Sequence, residues 1–255
     1  MTLLARISCH AQQICGIAWS SDGALFATGG NDNALFLFET KKILQYPRDA
    51  PAAPVRVHNG TTVPPTALIS RSQQVLNITP GRERHVFRLN AACKALAFAP
   101  WQPSLLAAGG GSNDRCIHFF HALSGARLAT IDCYAQVTSL VWNPTRKEIA
   151  ATFGFAQPEH AIRVAVFSWP SCALVVGIPW FGEERALYAV LYSPERGGSG
   201  QRDGEGVDRR SGDSLVVAGS DTSIKFHEVW SGSETEGKAL TGILGGELDA
   251  ENLLR

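Results

Sequence analysis

The sequence predicts an all-β fold assembled from four copies of one unit. Three observations carry this. Four segments share a strand–turn–strand–turn–strand plan in which apolar runs alternate with Gly/Asn/Asp/Ser turns. An aromatic closes the first strand of each segment, at Trp19, Phe98, Trp142 and Tyr192. These anchors stand 79, 44 and 50 residues apart, so that two of the three intervals lie close to the 40–45 residues of a propeller blade.

The elements follow in order. In the first unit Ile14–Trp19 is a strand, Ser21-Asp22-Gly23 a turn, Leu25–Thr28 a second strand, Gly29–Asn33 a polar turn and Ala34–Phe38 a third strand. The second unit runs Ala95–Phe98, Leu105–Ala108, a turn from Gly109 to Asp114, and Cys116–Phe120. The third runs Val137–Trp142, Glu148–Thr152 and Ile162–Phe167, and the fourth Leu187–Tyr192, Ser214–Ala218 and Ile224–His227. The long first interval contains Tyr46–Pro80, rich in Pro, Ala and Thr, which reads as an inserted loop because it lacks the aromatic–turn–Gly pattern. The last interval is stretched by the Gly-, Arg- and Asp-rich 195–213, too polar to bury apolar area and expected to be mobile. Residues 1–230 are thus expected to form part of a WD40 β-propeller, and 231–255, polar and Gly-rich, a flexible tail.

Composition narrows the function. The 255 residues carry 23 Lys+Arg and 23 Asp+Glu, a formal net charge of zero, which argues against nucleic-acid binding by phosphate neutralisation. No apolar run is long enough for a membrane span, and the first ten residues do not form a signal peptide. Cys9, Cys15, Cys93, Cys116, Cys133 and Cys172 form no CxxC pair and read as free thiols in a reducing compartment. There is no GxSxG elbow, HExxH or P-loop, and Glu183-Glu184 is an adjacent pair of the kind usually solvated, so no enzyme is expected and no cofactor or metal is implied.

WD40 blades hold a buried relay of turn Asp, loop His, second-strand Ser/Thr and third-strand Trp. Such a set tends to be complete or absent, because buried polar groups need partners. The first unit offers His10, Thr28 and Asp32 with Phe38 at the Trp position. The second offers Asp114 with Phe120, and the fourth Asp221 with His227. The repeats are degenerate.

Two stretches go beyond a generic blade. They are Gln13–Trp19 with Ala27-Thr28-Gly29-Gly30-Asn31-Asp32-Asn33, and Lys94–Gln102 with Leu105–Ile117, which contains Gly109-Gly110-Gly111-Ser112-Asn113-Asp114-Arg115-Cys116-Ile117. Both resemble the Fizzy/Fizzy-related family, the substrate-recognition coactivators of the anaphase-promoting complex. Gln136-Val137, Lys147-Glu148-Ile149 and Phe153–Gln157 continue the likeness in register, and it spans about His10 to His227 apart from the two insertions. Gln12–Gly16 and Leu25–Thr28 look most like the fungal meiosis-specific branch.

The resemblance implies a non-enzymatic adaptor with a seven-bladed propeller, acting in nucleus and cytoplasm. Its partners would be subunits of the anaphase-promoting complex and degron-bearing substrates, with no nucleic acid and no membrane. It assigns contacts with a KEN degron to Asn31, Asn33, Ser112, Gln136 and Arg185, amides, a hydroxyl and a guanidinium suited to a Lys-Glu-Asn peptide. Ser112 departs from the family's Thr but keeps the hydroxyl. The turn of the last unit reads Ser220-Asp221-Thr222-Ser223, so Thr222 replaces the acid expected to meet the Arg of a destruction box, leaving Asp221 as the nearby carboxylate. The terminal Leu254-Arg255 keeps the apolar side chain, guanidinium and carboxylate of the family's ligase-docking Ile-Arg. No Asp-Arg-Phe/Tyr-Ile-Pro-x-Arg box occurs, and about three blades are missing before His10, as in a fragment, a truncated gene or a degraded paralogue. Four blades taken from a seven-blade ring are expected to form an open arc with exposed end faces.

Overall fold

The structure, a computed structural model, describes residues 3–44, 55–56, 62–63, 75–156, 160–192 and 213–230. Those residues form four antiparallel sheets in sequence order, the blades of a partial propeller. Blade 1 contains β2 (Ile14–Trp19), β3 (Leu25–Gly30), β4 (Ala34–Glu39) and β8 (His85–Arg88). It is preceded by β1 (Ala5–Ile7) and interrupted by α1 (Thr40–Leu44), β5 (Val55–Arg56), β6 (Thr62–Val63) and β7 (Leu76–Ile78). Blade 2 is β9 (Cys93–Ala99), β10 (Gln102–Gly110), β11 (Cys116–His121) and β12 (Ala126–Asp132). Blade 3 is β13 (Ala135–Trp142), β14 (Glu148–Ala156), β15 (Ile162–Ser168) and β16 (Leu174–Pro179). Blade 4 shows three strands among the described residues, β17 (Ala186–Tyr192), β18 (Asp213–Gly219) and β19 (Ile224–Trp230).

The sheets bury both faces except at the two ends of the series, and the strand sequences show it. β3 and β4, Leu-Phe-Ala-Thr-Gly-Gly and Ala-Leu-Phe-Leu-Phe-Glu, are almost wholly buried, as near-continuous apolar runs require. Alternate residues serve opposite neighbours. Leu25, Ala27, Leu35 and Leu37 pack on Phe98, Leu106, Ala108 and Phe120 of blade 2. Leu105, Ala107, Ile117 and Phe119 face the other way, onto Leu140, Trp142 and Phe167 of blade 3. Val164 and Val166 then meet Leu215, Val217 and Trp230 of blade 4. At each junction the first strand of one blade packs on the preceding sheet. Trp142 pins one of these seams by donating its indole N–H to the carbonyl of Ala97, 3.2 Å away.

The segment 46–80, read from sequence as a loop, is corrected at three places. Val55–Arg56 pairs antiparallel with Thr62–Val63, and Leu76–Ile78 pairs in parallel with Ala5–Ile7. The alternation Leu76-Asn77-Ile78 explains the last. Its two apolar side chains are buried against Phe26, Phe36, Phe38 and Ile43, covering the outer part of the face that blade 1 turns away from blade 2. The segment falls between the third and fourth strands of one blade, since β8 pairs with β4 across it. Residues 45–54, 57–61 and 64–74, most of the stretch 195–213 and the tail 231–255 lie outside the described residues.

The ends of the series are open. Ile17 and Trp19 remain 63% and 52% exposed on blade 1, and Ile224 and Phe226 67% and 68% exposed on blade 4, where Tyr188, Val190 and Tyr192 share their face. In the inner blades the corresponding Phe98, Trp142, Ile117 and Phe119 are buried. All six cysteines are free thiols; burial, reinforced by the charge of Glu83, pushes Cys9 up to about 11. Among the described residues no helix is long and apolar enough to cross a membrane.

Candidate functional site: turns and strand entries on one rim

Strand register fixes where the predicted contacts sit. The start of each first strand pairs with the end of each second strand: Ile14 with Gly30, Cys93 with Gly110, Ala135 with Ala156 and Ala186 with Gly219. Asn31, Asn33, Ser112, Gln136 and Arg185 all lie at, or within three residues of, these four ends. They therefore share one rim of the arc. Lys94 Nζ, at the entry of blade 2, comes within 3.4 Å of the carbonyl of Leu187 at the entry of blade 4, so the entries converge toward the axis.

Each residue is held differently. Asn31 is exposed, and its backbone N–H donates to the carbonyl of Gln13 at 2.9 Å while its Oδ1 accepts from the Cys15 thiol at 3.0 Å. Asn33 is exposed with φ 59°, a left-handed conformation that Asn tolerates, and its carbonyl accepts the N–H of Leu89 at 2.9 Å. Ser112 is exposed on the turn between β10 and β11. Gln136 is half-buried, with its Oε1 over Gly154. The guanidinium of Arg185 lies 4.5 Å from the ring centre of Phe155, a ring that is 60% exposed. Phe155 and Lys94 are the rim residues that the sequence reading did not select. The signal for Phe155 was an aromatic after Gly154, at the end of a strand that should bury its aromatics.

The turn aspartates are committed to the fold. Asp32 meets His10 Nδ1 at 3.0 Å and accepts the N–H of Ala11 at 2.8 Å, while His10 Nε2 reaches Thr28 Oγ1 at 2.9 Å. Burial acts to raise the Asp32 carboxyl, but the hydrogen bonds from His10, Ala11 and Ala34 hold it below its ordinary value. Blade 2 uses another geometry, in which Asp114 Oδ2 meets His118 Nε2 of its own third strand at 2.7 Å. There burial first, then the charges of Asp114 and Asp132, push the Cys116 thiol up to about 11. In blade 4 the partner four residues on is Lys225, whose Nζ lies 2.8 Å from Asp221 Oδ2. Lys225, then the Ser223 hydroxyl, holds Asp221 well below the usual carboxylate range. Asp221, considered above as a degron contact, is thus already engaged by an ammonium. Leu254 and Arg255 lie outside the described residues.

The fold and its blades define the chain as a WD40 β-propeller segment, and the WD domain, G-beta repeat family matches residues 1–39. The chain is homologous to Fizzy-related WD-repeat proteins over about nine-tenths of its length. It is 33% identical over 227 residues to the WD repeat-containing protein slp1 of Schizosaccharomyces pombe, with 89% of this chain and 35% of the relative covered. It is 31% identical over 234 residues to the meiosis-specific APC/C activator protein AMA1 of Saccharomyces cerevisiae, covering 92% of this chain and 31% of the relative. The chain thus spans about a third of the length of these relatives. A chain from the crystal structure of a mitotic checkpoint complex superposes with a TM-score of 0.58 at 32% identity, over 87% of this chain and 51% of that one.

Proposed function

We propose that this chain is a substrate-recognition unit of the anaphase-promoting complex, a non-enzymatic adaptor that holds KEN-type degron peptides on its rim. The observation that carries the reading is the convergence of Asn31, Asn33, Ser112, Gln136 and Arg185 on the end of the arc where strand entries meet. The relatives named as activators of that ligase support it. Amide and hydroxyl groups pair with the Asn and backbone of an extended peptide, and Arg185, propped on Phe155, offers a guanidinium to its Glu. Leu254-Arg255 is the proposed docking element for a ligase subunit, and the setting is nuclear and cytoplasmic. A destruction box is not part of the proposal, because Thr222 stands where its Arg would need an acid and Asp221 is held by Lys225.

Fluorescence anisotropy with a labelled Lys-Glu-Asn peptide and the full chain tests this. Saturable binding is expected, lost in an Asn31→Ala/Gln136→Ala double variant and for a peptide with Glu replaced by Lys. Wild-type chain that ignores the peptide, or a double variant that binds undiminished, rejects the assignment.

A further inference from the structure

Blade 2 carries a cluster that the rim does not use. Asp114 closes the turn before β11, and Cys116 and His118 follow at two-residue spacing, the period that turns strand side chains to one face. One donor atom from each of the three lies within 4.8 Å of the other two. The side chains of His118 and Asp114 are 6% and 1% exposed, and Cys116 is half-buried.

We propose that Asp114, Cys116 and His118 bind a divalent transition-metal ion of the zinc class, with a fourth position left for water or a ligand. A carboxylate oxygen, a thiolate sulfur and an imidazole nitrogen form a mixed donor set suited to zinc, and three protein ligands with one open position is a recurrent zinc arrangement. The orienting shell is present. Asp114 Oδ1 accepts the N–H of Asn90 at 3.1 Å, which fixes the carboxylate and aims Oδ2 at the ring. His118 Nδ1 lies 3.3 Å from Thr130 Oγ1 on the neighbouring strand.

That hydroxyl serves either state of the ring. Without an ion, Nε2–H donates to Asp114 and the Thr130 hydroxyl donates to Nδ1. With an ion, the ring proton sits on Nδ1 and donates to Thr130 Oγ1, and the freed Nε2 lone pair binds the metal. The remaining balance is simple. Cys116 gives up its S–H proton to solvent as the metal–sulfur bond forms, and thiolate plus carboxylate offset the two positive charges. Cys116 is the member of the cluster that the His–Asp pair does not use, so its sulfur is the group whose signal reads a metal role apart from a purely structural one.

The test is cobalt(II) titration of the full chain, followed by displacement with zinc. One equivalent is expected, with visible bands of a tetrahedral site and a near-ultraviolet thiolate-to-cobalt charge-transfer band, and zinc uptake should release about one proton. Cys116→Ser abolishes the charge-transfer band. His118→Gln, which keeps a hydrogen bond to Asp114, abolishes tight binding with the fold intact by circular dichroism. Thr130→Val weakens binding about 10- to 100-fold through the orienting shell. A wild-type chain with no saturable cobalt binding overturns the proposal, as does a charge-transfer band that survives Cys116→Ser.

Discussion

Trp142 is where the packing of the arc is most exposed to experiment. Its indole is 6% exposed at the seam between blades 2 and 3. Its ring stands edge-on to Trp101 at 5.1 Å and lies 6.0 Å from Phe119, and its N–H crosses the seam to Ala97. Truncating a buried aromatic to Ala costs about 3–5 kcal/mol, and losing the cross-seam bond adds about 1 kcal/mol. Trp142→Phe keeps most of the apolar volume and forfeits the bond, so it should cost about 1–2 kcal/mol. Urea unfolding followed by far-ultraviolet circular dichroism reads this directly. With a slope of about 3 kcal/mol per molar urea, Trp142→Ala should lower the midpoint by roughly 1.3–2 M. Crossing Trp142→Ala with Trp101→Ala should reveal a coupling of about 0.5–1.5 kcal/mol from the edge-on pair. A midpoint shift below about 0.3 M would mean that this seam does not hold blades 2 and 3 together, and the picture of a continuous core would fail.

Three further outcomes follow from single contacts. A Cβ at Gly16 would run into the Lys94 carbonyl, which belongs to backbone and cannot swing aside, so Gly16→Ala should wedge blades 1 and 2 apart at a cost of about 1–3 kcal/mol by thermal unfolding. Asp32→Asn should destabilise the chain by about 1–3 kcal/mol at neutral pH. Because the folded carboxyl of Asp32 sits below its ordinary value, its contribution is complete above about pH 4 and is lost as pH falls through the lower folded value, so the gap between wild type and variant should close only in acid. At Gly154 a Cβ would stand 2.6 Å from Gln136 Oε1 and 3.2 Å from Thr138 Cγ2. Gly154→Ala should therefore push the Gln136 amide aside, leaving the unfolding midpoint nearly unchanged while peptide affinity drops by about fivefold, the worth of one hydrogen bond.

Much of this architecture is legible in the chain, and the parts that are not share a cause. The first three strands of the inner blades announce themselves because they are largely buried on both faces and so are mostly apolar, and those of the end blades keep the apolar pattern although one face is exposed. The fourth strands β8, β12 and β16 lie at sheet edges; β12 reads Ala-Arg-Leu-Ala-Thr-Ile-Asp and exposes most of its side chains, so nothing in its composition separates it from a loop. β7 is three residues long, with Val75 before it and Thr79-Pro80 after it, and is made a strand by its distant partner β1. On the rim, Asn31, Asn33 and Ser112 are visible because Gly-rich turns at fixed spacing bring them there. The grip of Phe155 on Arg185 joins two blades, and no local pattern encodes it.

The same reasoning explains how the turn aspartates shape what the rim can recognise. A relay carboxylate needs a cation or donors, and each blade with such an aspartate supplies a different partner: His10 ahead of blade 1 and His118 within blade 2 for the nearly buried Asp32 and Asp114, and Lys225 within blade 4 for the more exposed Asp221. Lys225 does so while resting 3.9 Å above the ring of Trp180 and 3.9 Å from Glu184 Oε2, so the ammonium is satisfied from three sides. An incoming guanidinium at Asp221 would have to displace that internal cation and leave it beside the aromatic ring without its closest anion. At Asp32 and Asp114 it would have to break into side chains that solvent barely reaches. What remains for a ligand is a set of neutral amides and a hydroxyl with two cations, the guanidinium propped on Phe155 and the ammonium of Lys94, on a chain whose formal charges sum to zero. Such a surface selects by hydrogen-bond geometry at close range rather than by long-range attraction, and its affinity for a peptide should therefore depend only weakly on salt.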